Sequence, residues 1–479
     1  MKKKEIIVRM PPSPTGPLHL GTARTALFNY LFAKKNKGKI IFRWEDTDIE
    51  RSQKKFETEI LGGLKWLGLD FEKESEKMYR QTENNEIHKQ FLKKLWEDEK
   101  IFPCFVTPEE IQSLRERATK KKFNFVFWSP FREESRTTLQ NKMDSGIPFV
   151  WRIKCLKNKT IIFNDLIRGH IEANSNTLGD FAIARSDGSV LYLLANVIDD
   201  FTQGITHVLR GEDHISNTPK QILLYEALGV DPPAFGHIPL VLDQQKRKLS
   251  KRNVDPNTCV LVPDFQAAGF LPEAVLNGLA FLGWNPKSTQ EIFSIHDLIE
   301  AFYLQKVNPG AAQYDFEKMK WFNMKWLKTI PIEKLIEHFN FFAKTQYSLS
   351  YKKAFEVARE KSRDLIDIQN QLEYLLSDPG IDVNKFINEK FRIDIPFAKN
   401  VLTEIEQMLL NIPESKFNKE FLREKSIQKI EKLGIANGQF LGPFRIALSN
   451  REVSAGPFEI ADTLGKQETL RRIQRSQKV

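Results

Sequence analysis

The chain has 479 residues, 41% of them hydrophobic, with 72 Lys+Arg against 62 Asp+Glu, which excludes a disordered or single-core chain and predicts two to four domains, and its net charge of +10 fits a polyanionic partner, as it also fits many basic proteins that bind none. Its three cysteines, Cys104, Cys155 and Cys259, are far apart and form no Cys-x-x-Cys pair, which excludes a disulfide framework, argues against a zinc site and fits a reducing cytoplasm. No apolar stretch approaches the roughly 18 residues of a transmembrane span, and the apolar run after Met1-Lys2-Lys3-Lys4 is cut short by Arg9, too early for a signal peptide.

In chain order, Ile6-Ile7-Val8 predicts a short strand and residues 23 to 35 a helix, with the Pro/Gly-rich segment 12 to 22 as a tight loop between them. Residues 39 to 44 predict a second strand and residues 54 to 67 a second helix, an alternation that argues for a parallel α/β sheet. From Glu83 to about Gly188 the pattern is mixed and reads as an insertion. Within it, residues 115 to 154 carry ten Lys/Arg against four Asp/Glu, with Phe123, Phe125, Phe127, Trp128 and Phe131 interleaved. Such a stretch is either a solvated basic surface over an aromatic mini-core or a face that tracks RNA phosphates. Val190-Leu191-Tyr192-Leu193-Leu194 predicts a buried strand that resumes the sheet, residues 207 to 210 another, residues 219 to 228 a helix, and residues 238 to 242 the approach to a cationic loop. That loop, residues 246 to 252, has five cations in seven residues. Beyond residue 260 helical periodicity dominates, and residues 331 to 479 are nearly balanced, with 24 Lys/Arg and 21 Asp/Glu.

Two segments carry chemistry. The loop Pro12-Ser13-Pro14-Thr15-Gly16-Pro17-Leu18-His19-Leu20-Gly21-Thr22 ends at a helix N-terminus, where backbone N–H groups and the helix dipole attract phosphate. His19 at its mouth can donate to an α-phosphate oxygen as charge grows there, and Gly21 lets a nucleotide approach the backbone. The second segment, Lys248-Leu249-Ser250-Lys251-Arg252, offers ammonium groups to a leaving pyrophosphate. Singly, the first is a turn with one histidine and the second a solvated loop or a nucleic-acid patch. Together, in this order, they describe an ATP site.

The pair resembles the HIGH and KMSKS signatures of class I aminoacyl-tRNA synthetases. Arg43-Trp44-Glu45-Asp46-Thr47-Asp48, Tyr79-Arg80-Gln81-Thr82, Tyr192 to Asp200, Leu209-Arg210-Gly211-Glu212-Asp213-His214 and Ser216-Asn217-Thr218-Pro219 extend the resemblance over nearly the whole chain to bacterial-type glutamyl-tRNA synthetases. Thr22 stands where the full HIGH signature has its second histidine, as is familiar in that family. The resemblance implies an α/β Rossmann-type catalytic domain (residues 1–82 and 189–242) split by an inserted α+β acceptor-stem-binding domain (83–188). A stem-contact domain carrying the Lys-Leu-Ser-Lys-Arg loop (243–325) and an all-α anticodon-binding region (326–479) follow.

It further implies activation of L-glutamate by ATP with Mg²⁺, transfer to tRNA-Glu, and activation that depends on bound tRNA. His19, Thr22, Lys248 and Lys251 would be catalytic. Pro12, Ser13, Gly21, Lys248, Ser250, Lys251 and Arg252 would bind ATP, and Arg9, Ser13, Glu45, Tyr192, Asn196 and Arg210 would bind glutamate. Arginine suits that pocket because its planar fork grips a carboxylate through two hydrogen bonds. Some members carry a zinc-binding Cys-x-Cys in the insertion. Pro103-Cys104-Phe105-Val106 departs from it, and no protein-bound zinc is expected. A cytoplasmic monomer is the family expectation, tRNA-Gln remains open as a second acceptor, and Arg359, Lys361 and Arg363 are candidates for anticodon contact. The alternatives are a glutaminyl-tRNA synthetase, whose loop typically reads Pro-Pro-Glu-Pro-Asn-Gly with a full His-Ile-Gly-His, and a catalytically idle tRNA-binding paralogue, against which the intact His19 and Lys251 speak.

Overall fold

The computed structural model describes residues 5–48, 50–250 and 258–478. The chain divides into two compact units, one made of Met1–Asp264 and Leu276–Phe316, the other of Phe265–Val275 and Glu317–Val479.

The first unit opens with β1 (Ile7–Met10), α1 (Leu20–Lys35), β2 (Lys39–Trp44), α2 (Lys54–Trp66), α3 (Phe71–Glu74) and β3 (Met78–Arg80). The three strands run parallel in the order β1-β2-β3, as the alternation predicts. Helix α2 can lie close to the histidine loop because Gly63 has no side chain: a Cβ there would stand 3.0 Å from Leu18 and 3.5 Å from Val262.

The stretch expected to form the insertion holds α4 (Asn85–Glu97), β4 (Ile101–Cys104), α5 (Pro108–Lys120), α6 (Arg136–Asp144), β5 (Val150–Ile153), the hairpin β6 (Thr160–Asp165) and β7 (Gly169–Asn174), and β8 (Ala182–Arg185). Strands β4, β5 and β8 form an antiparallel sheet. The aromatic residues of this stretch differ in burial. Phe127 and Phe131 pack on a small core of Phe102, Cys104 and Leu139, and Trp128 packs on a larger one, whereas Phe123 is 72% exposed beside the exposed Lys120, Lys121 and Lys122.

The apolar run at Val190 does not resume the sheet as a strand. Val190 makes one bridge to Ala184, and the chain then enters helix α7 (Tyr192–Thr202), which buries Leu194, Ala195, Val197 and Ile198. A five-residue apolar run has no period of its own, and the spacing of the residues after it is helical. Strand β9 (His207–Gly211), α8 (Thr218–Leu228) and β10 (Ala234–Ile238) follow, with β9 and β10 parallel and His237 beside Arg210. This pair meets the first sheet at Ile7, whose carbonyl accepts from Thr206 N–H at 2.9 Å and whose N–H donates to Thr206 Oγ1 at 2.8 Å. Strand β11 (Val241–Leu242) leads into the cationic loop.

The second unit is built of helices, including Ile332–Ala343, Lys352–Glu360, Leu365–Leu376, Ile395–Leu410, Lys419–Leu433, Asn437–Ser449 and Pro457–Lys478. Its buried Arg472 donates to the carbonyls of Tyr374, Leu448 and Ser377, tying the end of the helix Leu365–Leu376 and the helix Asn437–Ser449 to the last helix. Among the described residues no helix is long and apolar enough to cross a membrane.

Candidate active site

A cleft of about 600 Å³ opens in the first unit, lined by the histidine loop, the ends of β1 and β9, the start of α7 and the cationic loop. It gathers Arg9, Pro12, Ser13, His19, Gly21, Thr22, Glu45, Tyr192, Arg210, Lys248 and Ser250 from widely separated parts of the sequence. Asn196 is different. It is fully buried behind the cleft, where its Oδ1 accepts from Arg43 Nη2 at 3.2 Å. Lys251 and Arg252 lie outside the described residues.

His19 caps α1. Its Nδ1 accepts from the Gly21 N–H at 3.2 Å, which leaves the ring proton on Nε2. Burial, then the nearby Lys248, push its pKa below the ordinary value against the pull of Asp264, so the neutral ring persists. The loop is held to the chain that leaves the cationic loop: Leu20 N–H donates to Val260 O at 3.0 Å and Val262 N–H to Leu18 O at 2.9 Å. On the facing side Asp243 Oδ1 accepts from the N–H groups of Gln245 and Arg247, both at 2.9 Å, closing the turn that presents Lys248. Lys248 Nζ rests on Asp213 Oδ2 at 3.0 Å.

The other end of the cleft is a buried charge network. Arg9 Nε lies 3.3 Å from Asp200 Oδ1, and Arg43 Nη2 lies 2.8 Å from the same oxygen and 3.5 Å from Glu45 Oε1. Burial raises the Glu45 pKa against the pull of Arg43 and Arg9, and burial pushes the Tyr192 phenol to about 12. Tyr192 Oη meets His214 Nδ1 at 3.0 Å. Arg210 spends Nε on His237 and Nη2 on Thr218 and Gln221, so the expectation that its whole fork grips a carboxylate is corrected: Nη1 alone remains free. Five buried polar atoms of the network and the cleft lining have no hydrogen-bond partner, Arg9 Nη1, Arg24 Nε, Arg43 Nε, Arg210 Nη1 and Glu45 Oε1, and of these Arg9, Arg210 and Glu45 belong to residues that line the charged end of the cleft. Buried polar groups are normally satisfied, so two spare cationic donors and one spare anionic acceptor in one cleft describe the complement of an amino acid with two carboxylates and an ammonium.

Several site residues carry no role in the motif reading. Arg43, Asp200 and His214 sit inside the quoted segments, and the Asp199-Asp200 pair within an apolar helix is itself a signal, because buried carboxylates need partners. Arg24, on α1, donates from Nη1 to Leu282 O at 2.9 Å and from Nη2 to Pro239 O, and burial lowers its pKa to about 10. Among the described residues no group of three or more His, Cys, Asp or Glu could hold a metal ion, and the three cysteines are buried.

Residues 5–321 match the family described as tRNA synthetases class I (E and Q), catalytic domain, and residues 324–477 match the anticodon binding domain family. The chain is 39% identical to the glutamate–tRNA ligase of Aquifex aeolicus, with 98% of each chain covered. It is 37% identical to glutamate–tRNA ligase 1 of Caldanaerobacter subterraneus, covering 98% of this chain and 97% of the relative. Its structure resembles that of a glutamate–tRNA ligase from Elizabethkingia meningosepticum solved with its amino acid, with a TM-score of 0.85, 29% identity, and 99% and 100% coverage.

Proposed function

Because this chain belongs to the class I tRNA synthetases for glutamate and glutamine, we propose that the cleft activates glutamate with ATP and that the residues gathered there divide the work as follows. It is a glutamate–tRNA ligase. The observation that carries the residue assignment is the set of three buried, unpartnered atoms on Arg9, Arg210 and Glu45. Arg9 and Arg210 take the two carboxylates, and Glu45 takes the ammonium. Tyr192 and Ser13 complete the pocket, and Asn196 acts from behind by holding Arg43.

In the first step an oxygen of the glutamate α-carboxylate attacks the α-phosphorus of Mg·ATP, and the bond to pyrophosphate breaks. Magnesium enters with the nucleotide as part of the substrate. The His19 Nε2–H donates to the α-phosphate oxygen, where negative charge increases, while Gly21 and Thr22 at the helix N-terminus, with Pro12 and Ser13, border the nucleotide. Lys248 exchanges Asp213 for the β,γ-phosphates. Lys251, Ser250 and Arg252 share that role by the motif. In the second step a hydroxyl of the terminal adenosine of tRNA attacks the carbonyl carbon of the adenylate, and AMP leaves. Positioning and charge neutralisation account for most of the acceleration.

The acceptor is tRNA-Glu, bound by a monomer in the cytoplasm. The insertion 83–188 holds the acceptor stem, residues 243–325 contact the stem, and the helical region 326–479 meets the anticodon near Arg359, Lys361 and Arg363. Aminoacylation of separated tRNA-Glu and tRNA-Gln with glutamate and with glutamine tests the reading. Glutamate on tRNA-Glu is expected, glutamate on tRNA-Gln as well would widen the acceptor class, and transfer of glutamine alone would overturn the reading. Pyrophosphate exchange should require tRNA. Neutralising Lys120, Lys121 and Lys122 to Ala should flatten the dependence of log affinity for tRNA on log salt by about 2 to 3, because each lost phosphate contact removes slightly less than one from the slope. An unchanged slope would assign these lysines to ordinary surface charge.

A further inference from the structure

Arg210 lines the cleft, its Nη1 has no hydrogen-bond partner, and the rest of its guanidinium is held elsewhere. Its Nε–H points at His237 Nε2, 3.1 Å away, and its Nη2 donates to Thr218 Oγ1 at 2.8 Å and Gln221 Oε1 at 2.7 Å. An arginine Nε always carries a proton, so His237 Nε2 must be bare to receive it. The Thr218 hydroxyl lies 3.0 Å from the same Nε2. It accepts from Arg210 and therefore has its own proton to donate to the ring.

What keeps Nε2 bare comes from the inserted segment. Asp165, the last residue of β6, places Oδ2 2.6 Å from His237 Nδ1 and accepts the His237 backbone N–H through the same carboxylate. Its Oδ1 also accepts from the N–H groups of Ile167 and Arg168, both at 2.9 Å. The carboxylate is thus an acceptor on every side, and Nδ1 must be the protonated nitrogen. Asp165 and His237 are buried, and the hairpin tip is fixed to β10 by Leu166 N–H donating to Phe235 O at 2.8 Å. Neither residue touches the cleft.

We infer that Asp165 and His237 are positioning residues for the glutamate site: the carboxylate holds the imidazole in its neutral Nδ1–H form, and the bare Nε2 fixes the Arg210 guanidinium so that Nη1 meets a substrate carboxylate. This rests on the reading of Arg210 as a carboxylate ligand. Arg168 of the same turn pairs with Glu212, which accepts the Leu240 N–H at 2.7 Å, so the hairpin tip braces both chain segments that follow β9 and β10. The charged and titratable groups that face His237 are Asp165 from β6, Arg168 from the turn, and Arg210 and His214 from β9 and the segment after it. Burial, then the Arg210 charge, lower the His237 pKa against the pull of Asp165, while the hydrogen bonds to Asp165 together overcome its burial and keep it ionised.

The test compares His237→Asn with His237→Gln in pyrophosphate exchange with tRNA present. Asparagine can keep the Nδ1-side donor to Asp165 but has nothing at the Nε2 position, whereas glutamine can place its amide oxygen there for Arg210. His237→Asn should raise the glutamate KM on the order of ten- to a hundredfold while the ATP KM stays within about threefold, and His237→Gln should stay within about threefold for both. Equal effects of the two substitutions, or parallel rises in both KM values, would overturn the inference. Nitrogen-15 NMR of histidine-labelled intact protein gives a second readout that needs no stable variant. A buried ring protonated on Nδ1 and neutral at pH 7 is expected, and a set of spectra without such a ring would overturn it. Arg210→Gln is the control. If Arg210→Gln leaves glutamate KM unchanged, the reading of Arg210 fails and the positioning role falls with it. If Arg210→Gln is damaging and His237→Asn is not, only the positioning role fails.

Discussion

Arg210→Gln lowers kcat/KM for glutamate by on the order of a hundred- to a few thousandfold, with little change in the KM for ATP, because a buried charge deprived of its partner costs about 3 to 5 kcal/mol. Arg210 is 5% exposed, so in the variant the substrate carboxylate enters a buried position without its cation. The nucleotide contacts proposed above are at His19, Gly21 and Lys248, so ATP binding should not share the loss. Discrimination against glutamine should shrink as well. In the wild-type cleft an amide leaves a cation without its anion, whereas in the Arg210→Gln variant the amide and the carboxylate compete on more equal terms. Initial rates of pyrophosphate exchange with glutamate and with glutamine, tRNA present, measure both effects. An unaltered ratio of the two kcat/KM values would remove Arg210 from the specificity pocket.

How much of this was legible in the chain differs by residue. The strand–loop–helix around His19 was visible because a β-branched run, a Pro/Gly loop and a helical period leave distinct local patterns, and the parallel sheet followed from their repetition. The site residues Arg9, Glu45, Tyr192 and Arg210 were reachable only through ordered motifs, since each taken alone is an ordinary strand end, cap or core residue. The run from Val190 to Leu194, whose last three residues open helix α7, reads as a strand because a short apolar run looks alike in both. The roles of Arg43, Asp200 and Asp165 were hidden for another reason. They depend on which buried charges meet: Asp165 and His237 are 72 residues apart, and Arg9 and Asp200 are 191 apart. No local period encodes such pairings. The same holds for the correction at Arg210. Residue type says that a guanidinium can hold a carboxylate with two nitrogens, but only the packing of Thr218, Gln221 and His237 around it leaves a single one free.

His19→Ala lowers the rate of glutamyl-adenylate formation by on the order of a hundred- to a thousandfold, the usual loss when one fixed donor to a developing negative charge is removed. Glutamate KM and tRNA affinity should hold, since neither the arginines nor the basic insertion depends on this ring. The helix survives, because losing a side-chain cap costs about 1 kcal/mol and α1 is buried along most of its length. The pH dependence separates this role from simple crowding. The pKa of His19 lies below its ordinary value of 6.5, so the ring is neutral at pH 7, with Nδ1 accepting from Gly21 and Nε2–H free for phosphate. As pH falls through that lowered pKa, Nδ1 gains a proton that faces the Gly21 N–H, two donors meet, and the cap that orients the ring is lost. Activation by the wild type should therefore decline on an acid limb below pH 6.5, and the residual rate of His19→Ala should lack that limb. Single-turnover adenylate formation in rapid-quench experiments between about pH 5.5 and 8 reads both quantities. An undiminished rate in the variant, or an acid limb that persists in it, would assign the chemistry of the α-phosphate to another group in the cleft.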